Sequence, residues 1–204
     1  MPSPAPEDAL GALAEILRAD DSVISPHVRD PAGDPAHGLL VAAGPRAQAA
    51  PGEYALLVES IREGYLLHYG TPRVVVGADR DLELLAGDYL YARGLERLAA
   101  LGDLEAVREL SDLISLSAQV HAERDGGATG EALWLASAVA VASGAGDEHE
   151  AAKAALREQR PDAAEGLLQS ARAGASAARL SDALARAADS VGLAPPEHPS
   201  DELG

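Results

Sequence analysis

Two carboxylates four residues apart, Glu59 and Glu63, have the side-chain type and spacing that could do chemistry. On a helix that spacing puts both acids on one face, one turn apart. Such a pair can offer hard oxygen ligands to a divalent cation such as Mg²⁺, which binds through one or two carboxylates together with substrate oxygens. The same spacing is also common helix decoration, a solvated or salt-bridged face, and Arg62 between them brings a competing positive charge. Glu59 and Glu63 are therefore candidate metal ligands, and no residue is assigned as catalytic.

Other constellations offer less. Six histidines (His27, His37, His68, His121, His149 and His198) are scattered, and none has the Glu-x-x-His spacing of a di-iron bundle. His121, near a helix end beside Glu123, suits the helix dipole better than a metal. The run Gly38 to Gly44 follows no expected strand and makes a poor phosphate loop. Ser111, Ser115 and Ser117 share one helix with no Gly-x-Ser-x-Gly elbow, so packing or bonding to the helix backbone explains them. Tyr54, Tyr65, Tyr69, Tyr89 and Tyr91 gather on two central helices, where they either fill a core or form an interface or the wall of an apolar pocket.

The elements that must position these residues read as helices throughout. Apolar residues recur at helical spacing over Glu7 to Ala19. Prolines make Asp20 to Pro35 a loop, and Leu39 to Ala43 adds one turn. Pro51 starts a helix that runs to Tyr69, where Gly70-Thr71-Pro72 stops it. Arg73 to Gly77 has the pattern of a strand but no evident partner, so the spacing predicts an extended connection. Asp79 or Asp81 caps a helix from Leu82 that is apolar nearly all round as far as Tyr91 and should be deeply buried. Gly87 and Gly94 lie on one face of it, and each costs about 1 kcal/mol relative to Ala, which implies close approach of another helix. Asp103 caps the next helix, whose stripe runs from Leu104 to Val120. Beyond Gly126-Gly127 a short helix begins at Thr129 and passes Trp134. Asp147-Glu148-His149-Glu150 reads as a capping box opening another helix. Two Ala-rich helices, over Asp162 to Ala173 and Ala177 to Val191, complete one domain over residues 1–192, with residues 1–6 a flexible lead and residues 193–204 a disordered acidic tail.

Composition narrows the function classes. The chain has 204 residues, 47% of them hydrophobic, with no Phe and one Trp, so thin side chains must pack closely spaced helices. Lys153 is the sole lysine, a bias toward Arg expected of a GC-rich bacterial genome. A net charge of −17 repels nucleic-acid phosphates and anionic lipid, so nucleic-acid binding is not expected. With no cysteine there is no disulfide and no thiolate metal site. No signal peptide or membrane span is evident, and a cytoplasmic protein is expected.

One stretch resembles a known family. From Leu84, LLAGDYLYARGLERLAALGDLEAVRELSDLISLSAQ resembles the trans-polyprenyl diphosphate synthases, in which a helix opening Gly-Asp-Tyr/Phe-Leu precedes a second helix at the dimer contact. Gly70-Thr71-Pro72-Arg73-Val74 resembles that family's Gly-x-Pro segment and lies, without a gap, at the family's distance ahead of Gly87-Asp88. The resemblance implies an all-α antiparallel helical bundle, a truncated isoprenoid synthase fold. It also implies a dimer interface drawn from Gly87, Tyr89, Tyr91, Gly94, Leu98, Leu110, Leu113, Ile114 and Ser117.

The family's chemistry does not carry over. Its Asp-Asp-x-x-Asp magnesium motif falls on Glu59-Ser60-Ile61-Arg62-Glu63, and its Arg pair on His68 and Tyr69. Its Lys-Thr pair falls on Thr129 and Gly130, its second aspartate-rich motif near Ser170 to Ala173, where there is no acid, and its basic N-terminal segment has no counterpart in Ser25 to Arg46. Losing these clamps forfeits the electrostatic stabilisation of a departing diphosphate. The resemblance then implies a non-catalytic small or regulatory subunit, or a dimeric scaffold, in isoprenoid biosynthesis. Its partner would be a second copy or a full-length polyprenyl synthase. The alternatives are a homodimeric scaffold that binds an apolar, isoprenoid-like ligand without a synthase partner, and a weakly active prenyltransferase using Glu59 and Glu63. Only that last alternative needs a cofactor, Mg²⁺.

Overall fold

Asp79 and Asp103 open the two helices of the stretch that carries the resemblance, each accepting a hydrogen bond from the backbone N–H three residues on, Leu82 and Ala106. The structure is a computed structural model, and it describes residues 3–122 and 126–193. Among the described residues nine α-helices and no strands are packed together: α1 (Ala9–Ala19), α2 (Ala36–Ala42), α3 (Pro51–Tyr69), α4 (Arg80–Ala100), α5 (Leu104–His121), α6 (Gly126–Ser143), α7 (Asp147–Arg157), α8 (Ala163–Ala178) and α9 (Ser181–Ser190). None of them is long and apolar enough to cross a membrane.

The centre is α3 and α6, not the α4–α5 pair. Over its 18 residues α6 carries one charge, Glu131, and a helix apolar on every side is stable only when covered on every side. It packs against α2, α5 and α8, while α3 packs against α1, α2 and α4. One apolar cluster surrounds α6. A second joins Leu10, Leu13 and Leu17 of α1 to Leu56, Leu67, Val74, Val75 and Leu90. The helix α6 begins at Gly126 rather than Thr129. Close contact accounts for the first of its two leading glycines, since a Cβ on Gly126 would sit 2.6 Å from the Val120 carbonyl oxygen, whereas one on Gly127 would meet nothing.

Four other expectations are corrected. The helix α4 is not buried all round: Leu85 is 58% and Tyr89 37% exposed, because α3 covers only one side of it. The connection after Pro72 does find a partner, a single antiparallel bridge between Val28 and Val75 within the loop that precedes α2. Asp147 is the first residue of α7 and not its cap, a place taken by Gly146 without a side-chain bond. Within the expected flexible lead, the Pro4 carbonyl lies so close to Gly52 of α3 that no Cβ would fit there, while residues 1–2 lie outside the described residues. The expected tail, apart from Leu193, lies outside the described residues, as does Glu123.

Candidate functional site

Glu59, Arg62 and Glu63 lie on the middle turns of α3 and are almost wholly buried. Glu63 faces the connection after Pro72, where Val74 and Val75 have no exposed surface. Their backbone N–H groups need acceptors, and no sheet supplies them. Glu63 does. Its Oε1 accepts from the N–H groups of Arg73 (2.9 Å), Val74 (2.7 Å) and Val75 (3.1 Å), and Oε2 shares the Arg73 N–H at 3.1 Å. Glu59 is similarly engaged, Oε1 accepting from the Gly38 N–H of α2 and Oε2 from the Arg73 guanidinium, each at 2.7 Å.

These contacts decide the metal question for the pair. Every oxygen of Glu59 and Glu63 already faces a donor, and Arg73 brings a positive charge to both. Mg²⁺ needs carboxylate oxygens it can coordinate with near-octahedral geometry and bound water, so the pair does not fit it. Ser60, where the family has its middle ligand, is 4% exposed. Among the described residues no three His, Asp or Glu are arranged to hold a metal ion.

Around this pair lies an aromatic cage. Arg62 donates to Glu131 at 2.7 Å and stacks against the rings of Tyr65 and Trp134, at 4.8 and 5.0 Å from their centroids. His37 meets the Trp134 ring edge-on at 5.7 Å. Burial first, then the charges of Arg62 and Arg73, hold the His37 imidazole well below its ordinary value, so it is neutral at neutral pH. The hydroxyl of Tyr65 pairs with His121 Nε2 at 2.9 Å and is pushed up to about 12 by burial and by Glu131. His68 and Tyr69, standing where the family has arginines, stack on Tyr91 and His121. The region offers packing and internal hydrogen bonds.

The residues expected at a dimer interface go mostly to the chain's own core. Gly87 and Gly94 face α3, where a Cβ would stand 2.6 Å from the His68 ring and 2.5 Å from Ile61. Leu98, Leu110, Leu113 and Ser117 are buried within the fold. Tyr91 and Ile114 are half-buried against the main cluster, and Tyr89 bonds Asp20 at 2.8 Å while staying partly exposed. The apolar side chains that α4 and α5 do leave open are Leu85, Leu101 and Leu104.

A second buried ionic cluster, between α5 and α7, escaped the sequence reading. Glu109 accepts from His149 Nε2 and Lys153 Nζ, both at 2.7 Å, and Lys153 also reaches Asp112 at 3.0 Å and Glu150 at 3.1 Å. Arg157 closes the cluster on Asp112 at 2.5 Å. Burial alone would push the Glu109 carboxyl up, but bonds from His149 and Lys153 outweigh it and hold the group below the usual carboxylate range. The signal was present: the only lysine, four residues after a histidine, on the same helical face as Leu156.

Comparison of the chain with protein-family models, with curated proteins and with solved structures found no match in any of the three.

Proposed function

We propose that this chain is a non-catalytic helical protein on a polyprenyl-synthase-like plan, acting as a subunit or scaffold in isoprenoid assembly. The observation that carries the reading is the use made of Glu59 and Glu63. Where the resembling family holds magnesium and a diphosphate, this chain turns both acids inward to hold Arg73, Gly38 and the backbone of residues 73–75. A carboxylate whose oxygens are taken by backbone N–H groups and a guanidinium has none free for a metal ion that would clamp a leaving diphosphate. On this reading the connection after Gly70-Thr71-Pro72 supplies donors to the face that holds metal in the resembling family.

The test joins two measurements. Purified protein with Mg²⁺ and allylic plus homoallylic diphosphates is expected to give no product; product formation abolished by Glu59→Gln overturns the reading. Affinity purification from the native cell is expected to recover a full-length synthase carrying both aspartate-rich motifs. A stable homodimer recovered without one favours the scaffold alternative, which the open leucines Leu85, Leu101 and Leu104 of the α4–α5 hairpin also support.

A further inference from the structure

The helix α2 is 7 residues long, and its N-cap, Pro35, makes no side-chain bond. A helix that short does not hold itself in water, so α2 depends on what it packs against: α3, α6, α9 and the turn Pro6–Asp8. Leu40 and Val41 supply apolar contact there, with no exposed surface. The same helix buries a group that can change charge. His37 is 2% exposed and meets the Trp134 ring edge-on at 5.7 Å, and its Nε2 has no hydrogen-bond partner among the described residues.

That position suits a neutral imidazole and not an imidazolium. Of the elements packed on α2, α3 brings Glu59, Arg62 and Glu63 to this region, α6 brings Glu131, and the connection after Pro72 brings Arg73. The three acids are already engaged, Glu59 by the Gly38 N–H and Arg73, Glu63 by the backbone of residues 73–75, and Glu131 by Arg62. The Tyr65 hydroxyl is taken by His121. The charges of α9 (Asp182, Arg186 and Asp189) and of the turn Pro6–Asp8 (Glu7 and Asp8) are exposed. Burial, then the charges of Arg62 and Arg73, oppose a proton on His37. An imidazolium there is a desolvated cation beside two guanidiniums, with none of these acids free to receive it. Moving α2 outward returns the ring to water.

We propose that α2 is an acid-operated latch: a proton on His37 releases the helix from α3 and α6 while the rest of the bundle stays folded. The open form takes up the proton first, so it is favoured by up to about tenfold per pH unit as pH falls below about 6.5. The Gly38 N–H leaves Glu59 in the same movement, and Trp134 loses the cover of the His37 ring. A folded remainder exists because the packing of α6 on α5 and α8, and of α7 on α8, does not involve α2. The latch goes beyond the proposed function and needs neither a metal nor a partner chain.

Amide hydrogen exchange and the fluorescence of Trp134, the sole tryptophan, followed on the full-length protein as pH is lowered from neutral to about 5, test it. Below about pH 6.5 the protection factors of Leu40, Val41 and Ala42 are expected to fall about three- to tenfold per pH unit while those of α8 stay level. Trp134 emission should move to the red over the same range. His37→Gln cannot titrate, and should hold the protection of α2 level. Should that variant not fold, the His37 ring carbons of the unsubstituted protein give a second reading by NMR: neutral imidazole in the closed form, imidazolium only where α2 has opened. Level protection of α2 in the unsubstituted protein, a pH dependence that persists in His37→Gln, parallel loss of protection in α8, or an imidazolium at His37 with α2 still protected overturns the proposal. The diphosphate and partner tests are run at neutral pH, with α2 closed, so the two ideas fail separately.

Discussion

Glu63 on α3 and Glu109 on α5 are both carboxylates with almost no exposed surface, yet the fold uses them in opposite ways. Glu63 is saturated by three consecutive backbone N–H groups, donors that neither titrate nor move without unfolding the connection they belong to. Glu109 is held by side chains, His149 and Lys153, each with a further edge of its own. A backbone-locked carboxylate is part of the scaffold. One held by side chains belongs to a network that can exchange partners, and only the second borders an open cleft.

The largest test of that contrast is Glu63→Ala. It strands the N–H groups of residues 73–75 and removes a partner of Arg73, and should cost about 3–5 kcal/mol in chemical denaturation. Hydrogen exchange should show the amides of Val74 and Val75 unprotected; a cost under about 1 kcal/mol would erase the distinction between the two regions. Lys153→Met should cost less, about 2–3 kcal/mol, because Asp112 and Glu150 are partly exposed and regain water. Adding Glu109→Gln to Lys153→Met should recover part of the loss, since it removes the charge left alone.

A smaller effect is expected from pH. His37 has a folded-state value below that of the unfolded chain, so on acidification the unfolded state takes up the proton first. Its contribution is complete above about pH 6.5 and is lost as pH falls below that, at no more than about 1.4 kcal/mol per pH unit. His37→Leu should flatten the slope of stability between about pH 6.5 and 5. The lowered carboxyls Asp103, Asp112 and Glu109 act in a separate, more acid window, their contribution present above the unfolded carboxylate values and lost beneath them. Smallest of all is the paired change Leu85→Ser and Leu104→Ser. Each should alter stability by under about 0.5 kcal/mol, while sedimentation should show any homodimer weakened.

Much of the architecture was legible because it is written in local rules. The bounds of α3, Pro51–Tyr69, and the cap Asp103 follow from proline, glycine and aspartate acting on their nearest backbone neighbours, while of Asp79 and Asp81 the structure makes Asp79 the cap of α4. Gly87 and Gly94 announced a close helix contact correctly. Which helix makes it was not legible: both face α3 of the same chain, whereas the resemblance placed them at a partner. Glu59 and Glu63 were singled out for their spacing, yet spacing along α3 cannot say that Gly38 and residues 73–75 fold back onto them. That His149 and Lys153 meet Glu109 was not legible, because Glu109 lies forty or more residues earlier in the chain.

By itself, then, the sequence determined an all-α chain and the bounds of α3, since propensity, capping and periodicity act within a few residues; the break between the last two helices, expected between Ala173 and Ala177, lies instead at Arg179 and Leu180. Tertiary structure alone decided which acids are saturated by backbone donors and which are held by side chains. That depends on donors brought from distant segments, and a buried carboxylate takes its role from whatever the fold places within about 3 Å of its oxygens.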